Sequence, residues 1–586
     1  MPSVKISELR ELARRRDIQT AYRDARGRKQ ESPVATLKSA LDLRGPEPLR
    51  RIVEPVTVVW GRRPLRIKLH GEHADKIGWT LILEDGSERA GSLDAAPVIT
   101  IPERIPHGYH TLKLKSGGAE AETFVIASPS KAPAPEAKTW GIFLPLYAAR
   151  TQRNWGVGDL GDLADFRSWI KDLGGDIVAT LPLLATFADE PSPYSPVSRL
   201  FWNELYLDVE RLPEFSPADR HVTAIAALRN MERVDYESVI REKRRALERL
   251  AKRFVPDEDF QTWARRGAYA YAHFRAAKED LDSSSYHLYV QYRMHQQMSD
   301  ARRGGLDLDF PVGVNRAGFD AWKYSRAFVQ GASVGLPPDA AFPSGQNWGF
   351  APMDPDAIRE QRYDYFRAAI RHHVTHASVL RIDHVMGLHR LFWIPDGAEA
   401  KDGFYVRYKE DELYAILVLE ATRASCAIVG EDLGTVPAYV PRLMKRRGLR
   451  RMYVVQYEIR PDDEDPLPDP PAHAVASVNT HDMPPFATFW KENPKARSLL
   501  SDSGGDTKAV LEALLRRLAS SSAEIVLVNL EDLWLETEPQ NVPGNLEKSW
   551  TKKLRHTLEE MRSDSDVTRV LREVNERRRE VDGNEG

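Results

Sequence analysis

Val379-Leu380-Arg381-Ile382-Asp383 is a short apolar run that ends in a carboxylate, and similar runs recur along the chain. Eight of them, most separated by helix-like stretches, are candidates for buried parallel strands. They are residues 141–146, 176–183, 306–312, 379–383, 427–431, 452–457, 474–479 and 525–530. Eight alternating βα units predict a closed (β/α)8 barrel, the TIM barrel of the α/β class. Several runs end in a carboxylate, His, Asn or Arg, and barrel enzymes hold their chemistry at that C-terminal edge.

The region before the barrel divides into three parts. Residues 1–48 carry apolar residues at helical spacing and predict an N-terminal helical segment. Residues 49–128 alternate short apolar runs with turn residues, which predicts a β-sandwich domain. Residues 129–138 are rich in proline and predict a short, stiff linker. We therefore expect the barrel to occupy residues 139–575.

A charged, helix-forming stretch interrupts the barrel pattern between its second and third strands. We interpret residues 212–302 as a helical subdomain inserted into a βα loop, with its charges on a solvated face. Near the end of the chain, residues 567–574 carry Val and Leu at helical spacing and predict a last packed helix. We expect residues 576–586 to be a disordered tail.

Bulk composition argues against several functional classes. The 586 residues exceed what one hydrophobic core usually supports, so more than one domain is expected. The formal net charge of −3 argues against a dedicated nucleic-acid or membrane-surface binder, since both need a strong basic excess. The sequence has no run of about 18 apolar residues that could span a membrane. Its polar N-terminus lacks the apolar stretch of a signal peptide, so we expect a cytoplasmic location. The single cysteine, Cys426, permits neither an intramolecular disulfide nor a thiolate metal cluster.

Three acidic residues stand at the ends of predicted barrel strands: Asp383, Glu431 and Asp482. Side chains two apart on a strand share a face, so Arg381 and Asp383 would both point into the barrel mouth. An adjacent guanidinium lowers the pKa of a carboxyl group and would keep Asp383 ionised as a nucleophile. Glu431 ends an apolar strand after Gly430, and burial there would raise its pKa, as a general acid requires. Paired carboxyl groups in these two roles are the apparatus of retaining glycoside chemistry.

A structural role is the alternative for each acid taken alone. A single Asp at a strand end is usually a helix N-cap, and a single Arg-x-Asp is usually an ion pair. Three acids at correlated strand ends, with Arg or His close by in sequence, favour an active site. On chemistry alone, the sequence indicates a barrel hydrolase or transferase.

Three sequence blocks resemble those of a known family. Arg381-Ile382-Asp383-His384, Gly430-Glu431-Asp432-Leu433-Gly434 and Asn479-Thr480-His481-Asp482 are similar to the catalytic blocks of the amylomaltases, also called 4-α-glucanotransferases or disproportionating enzymes. The first block also resembles the wider α-amylase clan. The similarity extends over about residues 140–550, and the extra N-terminal domains resemble the longer bacterial members. It includes further motifs in the same order, at residues 156–162, 181–183, 192–195, 334–339, 345–349 and 541–544.

The resemblance implies a role for each acid. Asp383 would be the nucleophile that forms a covalent glycosyl-enzyme intermediate. Glu431 would protonate the leaving glycosidic oxygen and then deprotonate the incoming hydroxyl. Asp482 would stabilise the transition state through hydroxyls of the distorted sugar. No step requires a cofactor, an electron carrier or a metal ion.

The resemblance also implies a set of substrate-binding residues. They are Ser192, Tyr194, Asp339, Gln346, Trp348, Arg381, His384, His481 and Asn541. The loop 335–349 would close over the glucan, with Trp348 and Gln346 offering stacking and hydrogen bonds. Without the family, ordinary packing would be the preferred role for Trp348 and Tyr194. The chain departs from the family pattern at Pro485 and Asn545, where Thr is usual.

The reaction implied is transfer of α-1,4-glucan segments from maltooligosaccharides or longer α-glucans to the 4-hydroxyl of glucose, maltose or another glucan. Two rivals remain at this point: an α-glucan hydrolase of the α-amylase clan, and a non-catalytic glycan-binding protein. No nucleic-acid or membrane partner is expected, and the sequence gives no indication of oligomeric state.

Overall fold

The N-terminal segment combines two helices with a hairpin. The computed structural model describes residues 5–24, 27–48, 51–71, 74–302, 305–339, 342–500 and 506–583. Helices α1 (Ile6–Arg15) and α2 (Val34–Arg44) flank an antiparallel pair, β1 (Ala21–Arg23) and β2 (Lys29–Glu31). The helical spacing of residues 1–48 does not indicate this hairpin. Its strands have only three residues each, too few for a period to appear, and Tyr22 packs on a distant part of the chain, Tyr405.

The next region is a β-sandwich, as predicted. Its seven strands are β3 (Val56–Trp60), β4 (Leu65–Lys68), β5 (Lys76–Ile82), β6 (Glu88–Asp94), β7 (Val98–Ile101), β8 (Gly108–Ser116) and β9 (Ala119–Ser128). They form a five-stranded sheet in the order β3-β9-β8-β5-β6 and a two-stranded sheet β4-β7. Alternate residues point inward, so Leu65 and Ile67 of the small sheet pack with Leu81, Leu112 and Val125 of the large one.

Eight parallel strands then close into a barrel, which confirms the predicted fold class. In barrel order they are β10 (Thr139–Phe143), β11 (Ile177–Ala179), β12 (Leu306–Phe310), β15 (Val379–Ile382), β18 (Ala427–Gly430), β19 (Arg450–Val454), β20 (Ala474–Ser477) and β21 (Ile525–Asn529). The last strand pairs with the first, Val526 with Trp140. Apolar side chains such as Val379, Val429 and Ile525 fill the interior, so the barrel is a packed core and not a pore.

Four short strands form a second sheet outside the barrel, which we call the lid sheet. They are β13 (Ala332–Leu336), β14 (Gln346–Asn347), β16 (Arg390–Pro395) and β17 (Phe404–Arg407), in the order β14-β13-β16-β17. Strands β13 and β14 belong to the connection after β12, and β16 and β17 to the connection after β15. The loop 335–349, expected to cover the substrate, is therefore partly a hairpin of this sheet.

Helices cover the barrel and fill its long connections. Five of them lie between β11 and β12, within residues 212–302: α4 (Val222–Asn230), α5 (Tyr236–Arg253), α6 (Glu258–Ala264), α7 (Ala268–Lys278) and α8 (Ser285–Arg302). The others are α3 (Leu160–Asp172), α9 (Phe319–Lys323), α10 (Pro355–Glu360), α11 (Asp364–Val374), α12 (Glu410–Ala424), α13 (Tyr439–Arg447), α14 (Val455–Glu458), α15 (Phe486–Glu492), α16 (Pro494–Leu500), α17 (Thr507–Ala519), α18 (Leu558–Ser563) and α19 (Ser565–Gly583). No helix in the described ranges is long and apolar enough to cross a bilayer.

The sandwich packs directly on the outside of the barrel. The Trp60 indole N–H donates to the Asp411 carboxylate of α12 at 3.0 Å, and the Tyr109 hydroxyl donates to Glu420 of the same helix at 2.7 Å. The guanidinium carbon of Arg447 lies 3.2 Å from the Trp60 ring centroid. These contacts fix the sandwich on the barrel beside α12.

The expectation of a disordered tail from residue 576 is wrong as far as Gly583. Helix α19 runs from Ser565 to Gly583, and residues 584–586 lie outside the described ranges. Arg578, only 2% exposed, donates to the backbone carbonyls of Ala519, Ser521 and Ala523. These tertiary hydrogen bonds hold the last turns of α19 against the barrel, although the charged composition of that stretch by itself suggests disorder.

Candidate active site

The three predicted acids meet at the C-terminal edge of the barrel. Strands β15 and β18 are neighbours, and their register pairs Ile382 with Gly430. Asp383 and Glu431 are the next residues, so they lie at one level on adjacent strands whose backbones are about 4.8 Å apart. Asp482 follows β20, two strands further around the barrel. The fold therefore brings together three residues that are separated by 48 and 51 positions in sequence.

Asp383 shares the guanidinium of Arg381 with another acid, Asp309. The Arg381 Nη1 donates to both oxygens of Asp309, at 2.7 and 2.6 Å, and to Asp383 Oδ1 at 3.0 Å. Burial raises the pKa of Asp383 to about 7; Arg381 opposes that shift, while Asp309, Glu431 and Asp482 add to it. Arg381 thus lowers the pKa of Asp383 as the sequence predicts, but burial and the neighbouring acids outweigh that effect.

Glu431 is held by backbone donors from two loops. Its Oε2 accepts the N–H of His384 at 2.8 Å, and its Oε1 accepts the N–H of Leu433 at 2.9 Å. His384 has φ 45°, an uncommon left-handed conformation that orients its N–H toward Glu431. Burial raises the pKa of Glu431 despite Arg381 and these two donors. The group is thus biased toward the protonated state.

Gly430, the residue before Glu431, lies in a closely packed part of the site. A Cβ atom at this position would lie 2.7 Å from the Met444 side chain and 2.8 Å from that of Val385. Such distances are well below van der Waals contact. The glycine therefore allows the segment that carries Glu431 to pack closely against its neighbours.

Asp482 lies in an open part of the site, with 49% of its side chain exposed. Its Oδ1 accepts the Asn541 amide at 2.6 Å, and its Oδ2 lies 3.3 Å from His481 Nε2. Burial tends to raise the pKa of Asp482, but His481 and Asn541 outweigh it and bring the pKa below its ordinary value. Asp482 is therefore anionic near neutral pH.

Tyr194 connects Asp309 to His481. Its hydroxyl lies 2.6 Å from Asp309 Oδ2 and 2.7 Å from His481 Nε2. Its ring stacks on the imidazole, with centroids 5.3 Å apart and planes 15° apart. Ser192 belongs to the same turn, where its Oγ accepts the N–H of Tyr194 at 3.3 Å. One hydrogen-bonded chain thus runs from Arg381 through Asp309 and Tyr194 to His481.

The lid sheet places aromatic and amide groups near His384. The Trp348 ring stands edge-on to the His384 ring at 5.3 Å, and its Nε1 donates to Gln346 Oε1 at 3.1 Å. In the same hairpin, Asp339 Oδ1 accepts the Phe342 N–H at 2.7 Å. Burial lowers the pKa of His384 to about 4, so this imidazole is neutral near pH 7.

Comparison with protein families identifies the group to which this arrangement belongs. A family model described as 4-alpha-glucanotransferase matches residues 144–287 and 275–558. The chain belongs to the 4-alpha-glucanotransferase family. A second model, the MalQ N-terminal beta sandwich domain, matches residues 52–129 of this glucanotransferase. Its reaction is the transfer of glucan segments between sugar chains.

Individual relatives span most of the glucanotransferase. The 4-alpha-glucanotransferase of Mycobacterium tuberculosis is 30% identical over 676 aligned positions, covering 92% of each chain. That of Haemophilus influenzae is 32% identical over 466 positions, covering 67% of this chain and 66% of the relative. The crystal structure of amylomaltase from Corynebacterium glutamicum superimposes with a TM-score of 0.85 at 24% identity, covering 97% of this chain and 99% of that one. It shows the shared fold.

Sequence reasoning missed two residues of this glucanotransferase site, and the first is Asp309. It lies in the predicted strand 306–312, two residues after Asp307. An acid at alternate positions of an otherwise apolar barrel strand points into the mouth, and that signal was available. Trp550 was missed as well: its ring lies 5.8 Å from Tyr194 and 6.1 Å from His481. No sequence pattern connects Trp550 to this site.

No metal site accompanies these residues in the described ranges. No group of three or more His, Cys, Asp or Glu side chains there has an arrangement that could hold a metal ion. The charged groups at the glucanotransferase site interact with one another through Arg381, His481, Asn541 and backbone N–H donors.

Proposed function

We propose that this glucanotransferase works by a double displacement in which Asp383 is the nucleophile and Glu431 the general acid and base. The single observation that carries the proposal is the register that sets the two carboxyl groups on adjacent strand ends. Retaining glycosidases need the two groups about 5 to 5.5 Å apart, with no room for a water molecule between nucleophile and sugar.

In the first half-reaction, the protonated Glu431 donates its proton to the glycosidic oxygen. The bond between that oxygen and the anomeric carbon breaks as an Asp383 oxygen bonds to the carbon from the opposite face. The raised pKa of Glu431 supports its role as the proton donor. Arg381, hydrogen-bonded to Asp383, orients the carboxylate for attack.

In the second half-reaction, Glu431 is a carboxylate and removes the proton from an incoming 4-hydroxyl. The acceptor oxygen bonds to the anomeric carbon and releases Asp383, so the α configuration is restored. We propose glucose, maltose or the non-reducing end of another α-glucan as the acceptor. The donors would be maltooligosaccharides and longer α-1,4-glucans.

Asp482, His481 and Asn541 would bind hydroxyls of the sugar that undergoes distortion. Asp482 is anionic and partly open to solvent, so one face of the carboxylate is available to a ligand. A negative charge near the ring favours the oxocarbenium-like transition state. Trp348, beside His384 on the lid sheet, would cover the sugar and exclude water.

Incubation of the purified protein with maltotriose tests the proposal, with glucose and longer maltooligosaccharides followed by chromatography. We expect a ladder of longer products that the Asp383→Asn variant does not form. The control is Asp402→Asn, an exposed acid in the short helix 400–402 of the lid region. Glucose and maltose without longer products would instead indicate hydrolysis, and a fully active Asp383→Asn variant would exclude Asp383 as nucleophile.

A further inference from the structure

The N-terminal segment extends the lid sheet. The N–H of Gln19 donates to the carbonyl of Tyr405 at 2.9 Å, and the N–H of Arg407 donates to the carbonyl of Asp17 at 2.8 Å. Strand β17 is the edge of that sheet, and these two hydrogen bonds form an isolated antiparallel bridge between Ile18 and Val406. Because β16 and β17 belong to the connection after β15, the segment reaches the face of the barrel that carries Asp383.

Strand β1 carries Tyr22 onto this edge. The Tyr22 ring lies edge-on to Tyr405, with centroids 5.2 Å apart, and edge-on to Phe392 at 6.4 Å. The guanidinium carbon of Arg390 lies 4.0 Å from the centroid of the Tyr405 ring. Its Nη1 donates to Gln19 Oε1 at 2.8 Å. Two of these aromatic rings, Tyr22 and Tyr405, are half-buried and reach solvent.

Tyr439 completes the patch from another barrel loop. It begins α13, in the connection after the strand that precedes Glu431, and 49% of it is exposed. Its ring lies 5.4 Å from that of His389. His389 directly precedes Arg390, so this ring contact places Tyr439 next to the start of β16. We call Tyr22, Arg390, Tyr405 and Tyr439 the aromatic rim.

We propose that the aromatic rim is a remote binding site for α-1,4-glucan chains, to which the N-terminal segment contributes Tyr22. The rim offers aromatic rings for the C–H faces of glucose units and guanidinium N–H groups for their hydroxyls. Gln19 accepts one of the five N–H donors of Arg390, which leaves that side chain able to bind further acceptors. The inference rests on the proposed function, and the rim lies on the face of the barrel that carries Asp383 because β16, β17 and α13 follow barrel strands β15 and β18.

A remote site distinguishes long substrates from short ones. A trisaccharide bound across the cleaved bond extends at most two units to one side of it, whereas an amylose chain of tens of units continues outward. Binding free energy from such remote units raises kcat/KM for long chains only. The rim therefore predicts a preference for long donors or acceptors that depends on Tyr22.

The test compares kcat/KM for short-chain amylose and for maltotriose in the full-length protein and in Tyr22→Ala. We expect the ratio of the two values to fall about threefold to tenfold in Tyr22→Ala. Tyr22→Phe keeps the ring and should retain most of the preference. The control is Tyr269→Ala, which removes a partly exposed tyrosine of α7 in the helical insertion and should leave the ratio as in the wild type. Circular dichroism melting confirms that each variant is folded.

Tyr439→Ala provides a second route if Tyr22→Ala does not fold, because this ring is more exposed and belongs to another element. It should lower the same ratio. A wild-type ratio in both folded variants, or an equal loss in Tyr269→Ala, would overturn the aromatic rim. Failure of the wild-type protein to disproportionate maltotriose would instead contradict the proposed function, so the two failures are distinguishable.

Discussion

The guanidinium of Arg381 lies closer to Asp309 than to Asp383. Its Nη1 is 2.6 and 2.7 Å from the oxygens of Asp309 and 3.0 Å from the nearer oxygen of Asp383. Within the described site, Arg381 is the only strongly basic side chain hydrogen-bonded to Asp383, and it also binds Asp309. We therefore regard Asp309 as a positioning residue that also sets the ionisation of Asp383.

Substitution of Asp309 by Asn should shift the acid limb of the kcat/KM–pH profile to lower pH. Asp309 raises the pKa of Asp383, which is about 7, so removal of its charge lowers that pKa. Asp383 must be ionised to attack, so kcat/KM falls as the pH falls through its pKa. We expect the limb to move down by about one pH unit in Asp309→Asn.

Tyr194→Phe is the matched control for this shift. It removes the hydroxyl that binds Asp309 without removing a charge. Its acid limb should stay near that of the wild type even where its rate is lower. An equal movement of the limb in both variants would show that disturbed geometry, and not the charge of Asp309, is responsible.

Asn541→Ala should lower kcat/KM for maltotriose about tenfold. Asn541 donates to Asp482 at 2.6 Å, and hydrogen bonds to charged groups contribute about 1.5 to 3 kcal/mol. The lower end applies because 49% of the Asp482 side chain is exposed. The control is Asn545→Ala, whose side chain accepts the Lys548 N–H within its own turn. Equal rates in the wild type and Asn541→Ala would contradict a role for this amide.

Arg44→Ala should destabilise the protein through its N-terminal segment. Arg44 is fully buried and donates to Asp354 at 2.6 Å and to Asp356 at 2.7 Å, at the start of α10. Loss of Arg44 removes its ion pair with Asp354, while Asp356 keeps its pair with Arg16 at 2.8 Å. We expect a cost of about 2 to 3 kcal/mol, since both acids are partly exposed. Urea unfolding measures the change.

Arg10→Ala is the comparison for the Arg44 experiment. Arg10 pairs with Glu31 at 2.6 Å, but the two side chains are 34% and 45% exposed. Exposed pairs contribute little to stability because water screens their charges. A urea midpoint that falls as far in Arg10→Ala as in Arg44→Ala would contradict the importance of burial.

Acid should destabilise the protein through His376. This residue is 3% exposed, and burial lowers its pKa to about 4. Its Nδ1 lies 2.7 Å from the His372 carbonyl, and its Nε2 has no hydrogen-bond partner in the described ranges. Groups around it, including His295 and Arg302, are basic and also disfavour its protonation.

The sign of the effect follows from the two pKa values. Unfolding returns the pKa of His376 to about 6.5, so below that pH the unfolded state binds a proton that the folded state does not. The free energy of unfolding then decreases as the pH falls from 6.5 toward 4, and the loss reaches about 3 kcal/mol at pH 4. Urea unfolding at pH 7 and pH 5 should differ less in His376→Phe. The exposed His273→Phe should behave like the wild type.

Much of the fold was predictable because the sequence patterns that indicate strands involve residues close together in the chain. All eight runs and the sandwich alternation involve neighbouring residues, whose periodicity reports burial directly. The N-terminal hairpin and the last turns of α19 were not predictable, because they depend on Tyr22 contacting Tyr405 and on Arg578 binding carbonyls of a distant loop.

The sequence by itself determined the barrel, the three candidate acids and the family, because those depend on residue types at strand ends and in ordered motifs. Only the tertiary structure decided how the charges are shared: Arg381 binds Asp309 as well as Asp383, and Asn541 reaches Asp482 across 59 positions. A pKa depends on burial and on every charge within a few ångströms. Sequence order specifies neither of these, so the ionisation of the acids is a property of the folded chain.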